Sequence, residues 1–295
     1  MNAREQGFAL LCSHLGDPHR KCLTAAQMRT LAKRVSLMQT PKQDRELALA
    51  DLKALGYDAA FAQQILYLLS QTQELAWYLQ KAKKEGCIPV MRLSEEYPDL
   101  LRKRLGSDAP AFLWTRGDTA LLSASAVSLV GSRNLRVQNE DFAKQVGMQA
   151  AKQGYVLISG NARGADIASQ ESALAHGGKV ISIVADSLLD HPERENVLYI
   201  SEDSFDMAFS SARALSRNRI IHALGQKVFV AQSTYQSGGT WDGTAKNLAK
   251  GISPVFCYAD GSEAAQALCR MGAVPIGENA LGDLAVLQPN EYKLF

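Results

Sequence analysis

Four short segments of this chain combine residue types suited to holding an anion. Gly131-Ser132-Arg133 follows one apolar run, Ser159-Gly160-Asn161-Ala162-Arg163-Gly164-Ala165-Asp166 a second, and Ser237-Gly238-Gly239-Thr240 a third. The fourth, Arg213 with Ser216-Arg217-Asn218-Arg219, stands just before the helical run Ile220 to Leu224. Glycine lets a backbone turn tightly and approach a ligand closely, and free N–H groups at a following helix start attract negative charge. Arginine beside such a turn adds a planar, permanently charged fork that fits phosphate oxygens. Phosphate is the natural guest. A single glycine turn is weak evidence, because βα loops need glycine for geometry alone, but three turns with an Arg-x-Arg are harder to dismiss.

Other chemistries fail on spacing. No G-x-G-x-x-G follows a strand, and no G-x-x-x-x-G-K-[ST] occurs, so neither a conventional dinucleotide site nor a P-loop is supported. There is no H-E-x-x-H and no Cys/His cluster with metal spacing, so no metal and no cofactor is expected. His14, His19, His176, His191 and His222 are scattered and read as surface or loop residues. Ser132, Ser159 and Ser237 lie in no G-x-S-x-G elbow, so nucleophilic catalysis has no anchor, and their hydroxyls read as donors to an anion.

The elements that must position these turns are strands and helices in alternation. Ala126 to Val130, Tyr155 to Ile158, Val180 to Val184, Lys227 to Ala231 and Pro254 to Cys257 are short apolar, β-rich runs, and a helix from about Gln138 to Lys152 separates the first two. Continuous apolar strands separated by helices predict a parallel sheet covered on both faces, a doubly wound α/β domain. Ligands of such sheets bind at the carboxyl ends of the strands, where the glycine turns fall. From Phe8 to about Lys84 apolar residues recur at helical spacing. The clearest stripe there is Phe61, Ile65, Leu68, Leu75, Leu79 and Ala82, opened by Asp58 as N-cap and stopped at Gly86. It reads as a face packed on a neighbouring domain. Residues 87–125 are transitional, with Cys87-Ile-Pro-Val-Met as a possible short strand. The expected division is a helical part over residues 1–85 and an α/β part over 86–295, with its core at about 125–277.

At 295 residues, with 46% hydrophobic and 21% charged residues, the chain has the usage of a folded globular protein. The net charge of +2 means that a polyanion must be held by a local patch. The first 117 residues carry 17 Lys and Arg against 12 Asp and Glu, and the remainder reverses the balance with 15 against 18. Five cysteines without a C-x-x-C pair fit reduced thiols, and no stretch approaches the roughly 20 apolar residues of a membrane span. A cytoplasmic setting without membrane attachment is the expectation.

Between about Glu96 and Ile276 the motifs resemble the DprA/Smf family of DNA-processing proteins. The resemblance rests on Tyr97-Pro98 with Leu100, Pro110 with Leu113, Arg116-Gly117, Gly131-Ser132-Arg133, Ser159-Gly160 with Ala162, Gly164 and Asp166, Asn196 with Leu198, Ser201-Glu202, Arg217-Asn218-Arg219-Ile220-Ile221, Ser237-Gly238 and Gly272-Ala273. It implies an extended Rossmann-like fold preceded by a small helical domain, a non-enzymatic protein that binds single-stranded DNA in a positive pocket, forms homodimers and helps load a RecA-type recombinase. Carried over residue by residue, Gly131, Ser132, Arg133, Ser159 and Gly160 would line the phosphate pocket. Arg217, Asn218, Arg219, Ser237 and Gly238 match family motifs at the same edge, and Arg163 would add support. The chain departs from the family where Arg136 and Ser169-Gln170 stand in place of its usual serine and Ala-His pair, and with only about twenty residues after Ile276 the C-terminal winged helix of many members is not expected. Such divergence leaves room for redeployment in phage defence beside a toxin partner. A different class is also open: the segment Ser237 to Thr244 loosely resembles the acidic glycine loop of LOG-type nucleoside monophosphate hydrolases, with Asp242 as catalytic carboxylate. Its plainer reading is an acid favoured by a helix N-terminus. Arg133 likewise has a plainer reading, as a structural partner of Asp166.

Overall fold

The computed structural model describes residues 2–38, 46–202 and 204–289. The described residues open with the helices α1 Ala3–Cys12, α2 Ala25–Ser36, α3 Leu49–Ala54, α4 Ala59–Ser70 and α5 Thr72–Lys84. Local chemistry sets their starts. Asn2 with Glu5 and Thr24 with Gln27 form reciprocal capping boxes, and Asp58 accepts the Phe61 N–H at 2.8 Å as the expected N-cap. The single apolar stripe from Phe61 to Ala82 is divided. The backbone leaves the helix at Gln71, so Ile65 and Leu68 pack among the helices while Leu75 and Ala82 turn toward the sheet.

Among the described residues nine strands form one sheet in the order β1-β2-β6-β5-β4-β3-β7-β8-β9. The strands are β1 Ile88–Met91, β2 Phe112–Arg116, β3 Ala126–Val130, β4 Val156–Ser159, β5 Val180–Ile183, β6 Val197–Ser201, β7 Val228–Val230, β8 Val255–Tyr258 and β9 Val274–Ile276. β3 to β9 pair in parallel, while β1 pairs antiparallel with β2 and β2 antiparallel with β6. The five runs read as strands are β3, β4, β5, β7 and β8, and the short strand at Ile88 is β1. β2, β6 and β9 are additional. They are edge-side strands whose sequences carry Arg116, Tyr199 and Pro275, which break the continuous apolar signal of the central strands.

The connecting helices are α6 Asp99–Leu105, α7 Val137–Lys152, α8 Ala165–Ala175, α9 Ser211–Leu224, α10 Gly238–Lys250 and α11 Glu263–Arg270. Alternation along β3 shows how both faces are covered: Ala126 and Val130 join Leu101, Ile220, Ile221 and Leu268 on one face, and Val127 and Leu129 join Phe142, Val146 and Ala173 on the other. The segment Arg213 to Arg219 does not stand just before a helical run, as the sequence suggested, but lies inside α9. The apolar residues Leu281, Leu284, Val286 and Leu287, which in sequence have no strong partner and suggest a dimer surface, divide in the structure. Leu281 and Leu284 are buried against the α7 face, and Gln153 clasps them by donating to Leu281 O at 2.9 Å and accepting the Leu284 N–H at 2.7 Å. Leu287 is partly buried against the same cluster, while Val286 stays exposed. From β3 the sheet grows through β4, β5 and β6, then the chain crosses back through α9 to β7 on the other side. Crests of this kind, where strand order reverses, open a crevice at the carboxyl ends of the strands, here between β3 and β7.

Candidate functional site

A cavity of about 500 Å³ occupies that crevice. One wall is the turn after β3, a second the N-terminus of α10, and a third the face of α9 carrying Ala214, Leu215, Asn218 and His222. Gly131, Ser132, Arg133, Arg217, Asn218, Ser237 and Gly238 all line it, so the structure brings together most of the residues picked out in the sequence. Gly131 is required by packing: a Cβ there would sit 2.4 Å from the Ala165 Cβ of α8. Its carbonyl accepts the Thr240 hydroxyl at 2.9 Å, which ties the β3 turn directly to the start of α10. Ser132 O accepts the Ala165 N–H at 3.1 Å, locking the same turn to α8.

The α10 terminus is open. Ser237 occupies the N-cap position without making a side-chain cap, Gly238 has φ +83°, and the hydroxyl of Thr240 is turned to Gly131. The first N–H groups of a thirteen-residue helix are therefore free of capping side chains at the cavity wall, where the helix dipole favours an anion. Asn218 donates to Gly239 O at 3.1 Å and fixes this terminus against α9.

The arginines separate into different roles. Arg133 is exposed and makes no hydrogen bond or ion pair with a described residue. Arg217 is buried: its Nη1 donates to Ile183 O at 2.7 Å, its Nη2 lies 3.7 Å from Asp166 Oδ2, and its guanidinium lies against Gly160, where a Cβ would come within 1.6 Å of Nη1. The buried partner of Asp166 is thus Arg217 and not Arg133. Burial raises the Asp166 pKa, and the charges of Arg217 and Arg133 oppose that rise. Arg219, two residues along α9, points about 200° away, pairs with Glu202 and also donates to Ser216 O at 2.9 Å. It lines a cleft with Ser13, His14 and Pro110 and does not reach the cavity. Arg163 is exposed beyond the lining residues.

Ser159 and Gly160 are also set apart from the cavity. Ser159 is fully buried, its hydroxyl donating to Gly160 O at 3.2 Å and accepting from Gln170 Nε2 at 2.7 Å. Gln170, one of the departures from the family pattern, fills this space and also donates to Gly160 O. Arg136, another departure, pairs with Asp260, whose Oδ2 also accepts from Asn139 Nδ2 at 2.7 Å. Asp242 sits outside the cavity lining and pairs with Lys246 at 2.7 Å, one helical turn on, as an ordinary exposed i,i+4 pair.

Several lining residues were not singled out as site residues by their sequence positions. Phe209 and Leu215 are half-exposed apolar groups at the rim. His222, read from sequence as a surface or loop residue, is buried in α9. Asn247 Oδ1 accepts the Ser253 N–H at 2.9 Å, which turns Asn247 Nδ2 toward His222 Nδ1 at 2.9 Å. Nδ1 is therefore an acceptor, and the neutral ring carries its proton on Nε2. Burial lowers the His222 pKa to about 4. Nε2 of His222, Nε of Arg217 and Oγ of Ser233 are buried polar atoms of lining residues without a partner. The only signal for His222 was its helical spacing of four from Asn218. Among the described residues no group of three or more His, Cys, Asp or Glu could hold a metal ion, and no helix is long and apolar enough to cross a membrane.

Comparison with known proteins identifies the family of the chain. The family model described as DNA recombination-mediator protein A matches residues 89–279, which span every strand of the sheet except the first residue of β1. A DNA processing protein DprA of Bacillus subtilis is 26% identical over 237 residues, covering 75% of this chain and 79% of the relative. A Streptococcus pneumoniae DprA is 32% identical over 141 residues, covering 44% of this chain and half of the relative. The crystal structure of DprA from Streptococcus pneumoniae matches with a TM-score of 0.73 at 23% identity, over 98% of this chain and 99% of that one. A DNA processing protein A structure from Helicobacter pylori, described for its single-stranded DNA binding mode, matches with a TM-score of 0.56 at 25% identity, over 68% of this chain and 95% of that one. With its motifs in order, its cavity at the switch point of the sheet and the family model covering well over half its length, the chain belongs to the DNA recombination-mediator protein A family.

Proposed function

We propose that this chain binds single-stranded DNA along the carboxyl edge of its sheet and serves as a recombination mediator without an enzymatic step. One observation carries the reading. Arg133 stands exposed and unpaired at a cavity that is also lined by the uncapped N-terminus of α10, so a phosphate in it would meet a free guanidinium and backbone N–H groups without capping side chains. The cavity is concave and bordered by Phe209 and Leu215, which suits a flexible strand with accessible bases better than a rigid duplex. The Helicobacter relative named for single-stranded DNA binding supports the same class of ligand.

Loading of a RecA-type recombinase, a homodimer through the α/β part and a cytoplasmic setting belong to this reading on the family resemblance. Light scattering at tens of micromolar protein, an order-of-magnitude choice above ordinary association constants, tests the dimer, and a monomer there removes it. The ligand is tested by fluorescence anisotropy with labelled oligothymidylate and a labelled duplex of equal length over a salt series. Single strands should bind more tightly, with affinity falling linearly on a log–log salt plot. Equal or tighter duplex binding overturns the proposal.

A further inference from the structure

Phe209 reaches the cavity rim on a segment that the N-terminal helices hold. From α5, Tyr78 donates its hydroxyl to Asp206 Oδ1 at 2.7 Å, and Lys81 donates to Asp206 Oδ2 at 2.6 Å. Ser204 adds a third donor to the same carboxylate at 2.7 Å. Phe205 beside it is fully buried, 4.8 Å from the Tyr78 ring and 5.3 Å from Trp114. Just beyond, Arg213 of α9 donates from Nη1 to Met207 O at 2.6 Å and to Ala208 O at 2.8 Å, and from Nη2 to Ser201 Oγ at 2.8 Å. The next residue is Phe209, 55% exposed yet lining the cavity. Residues 204–210 therefore form a strap fixed at one end to the helical part and at the other to α9, with an aromatic ring held in solvent beside the phosphate seat. A large apolar side chain kept exposed by this many charged hydrogen bonds is an ordered surface without a covering partner, and a nucleobase is a flat π-face that fits it.

We infer that Tyr78 and Lys81 are positioning residues for the cavity: through Asp206 they hold the 204–210 strap so that the Phe209 ring forms a stacking surface for one base of a bound single strand. This rests on the function proposed above. The anchor touches no phosphate, so it acts on base stacking and leaves the electrostatic part of binding alone. The helical part and the nucleic-acid edge are then energetically linked without sharing a ligand contact.

The test uses the full chain with Phe209→Ala, Asp206→Asn, Lys81→Met, and Asp206→Asn combined with Phe209→Ala. Affinity for oligothymidylate is read by anisotropy at several salt concentrations, and strap order by hydrogen exchange over residues 204–210 in the absence of DNA. Phe209→Ala should weaken binding about ten-fold, as expected for one lost stack. Asp206→Asn and Lys81→Met should weaken it several-fold, with an unchanged salt slope and faster exchange in the strap. The double variant should bind no worse than Phe209→Ala alone, because both changes remove the same stack. Additive losses or a flattened salt slope overturn the positioning role. Strap exchange unchanged in both Asp206→Asn and Lys81→Met overturns the anchoring by α5, whatever the affinities. A wild-type chain that binds no single strand overturns the proposed function, and with it the stacking role of Phe209, while the exchange result still decides the anchor by itself.

Discussion

Arg133 and Arg217 both line the cavity, and their surroundings give them opposite expected behaviour. Arg133 has no partner to lose, so Arg133→Ala should leave the denaturation midpoint unchanged. It should weaken single-strand binding uniformly across sequences and reduce the salt slope by about 0.7, the loss of one phosphate contact. Arg217→Ala strands the Asp166 carboxyl in a buried site and frees Ile183 O, so it should cost roughly 3–5 kcal/mol in urea denaturation. A sharp midpoint drop for Arg133→Ala with unaltered binding would reverse the two assignments. His222 belongs to the same scale. Its pKa is about 4 when folded against an ordinary 6.5, so the unfolded chain takes up the proton first as pH falls. The neutral buried ring is therefore fully accommodated above pH 6.5, and stability is lost progressively between 6.5 and 4, by about 3 kcal/mol in all. His222→Gln should flatten urea midpoints measured between pH 7 and pH 4.5 relative to the parent chain.

At the scale of elements, the site depends on how closely helices approach one another. Gly147 of α7 lies so near α8 that a Cβ would sit 2.1 Å from Ser169 O, a backbone atom that cannot swing aside. α8 in turn holds the β3 turn through the Ala165 N–H bond to Ser132 O and the buried Asp166. Gly147→Ala should therefore force the helices apart at a cost of about 1–3 kcal/mol by urea denaturation. Single-strand affinity should fall as well, although the residue is remote from the cavity lining. Unchanged affinity in a destabilised variant would show that the β3 turn is held by its bond to Thr240 and not by α8.

For the whole molecule, the helical part is not merely appended. Ala9, Leu10, Leu75, Tyr78 and Ala82 share one buried cluster with Phe112, Trp114, Val184, Leu188 and Phe205, so the helices cover one end of the sheet. α4 with α1 to α3 has its own smaller cluster around Leu31, Leu52 and Ile65. A chain beginning at residue 86 would expose the large aromatic side chains Phe112, Trp114 and Phe205. It should bind a hydrophobic dye and unfold at lower urea than the full chain, because the lost cover is apolar area. Equal midpoints without dye binding would show two independently stable parts.

Much of the fold was legible in local pattern. β3, β4, β5, β7 and β8 are buried on both faces, so they appear as continuous apolar runs, and the glycines after β3, β4 and β7 mark turns that geometry alone demands. The family motifs added the order of these turns and the class of ligand. What sequence could not assign was the direction of each side chain. Arg217 and Arg219 are two positions apart in one motif, yet α9 sends one into the sheet and the other to Glu202, because helical rotation separates them by about 200°. Asp166 finds its cation 51 residues along the chain and not in the neighbouring turn. Leu281 and Leu284 have no partner in the local pattern and find one only in α7, far earlier in the chain. Local pattern determined where the chain turns and what chemistry the turns carry. Tertiary packing alone decided which charges are buried in pairs and which stand free for a ligand, since that depends on contacts between residues far apart in sequence.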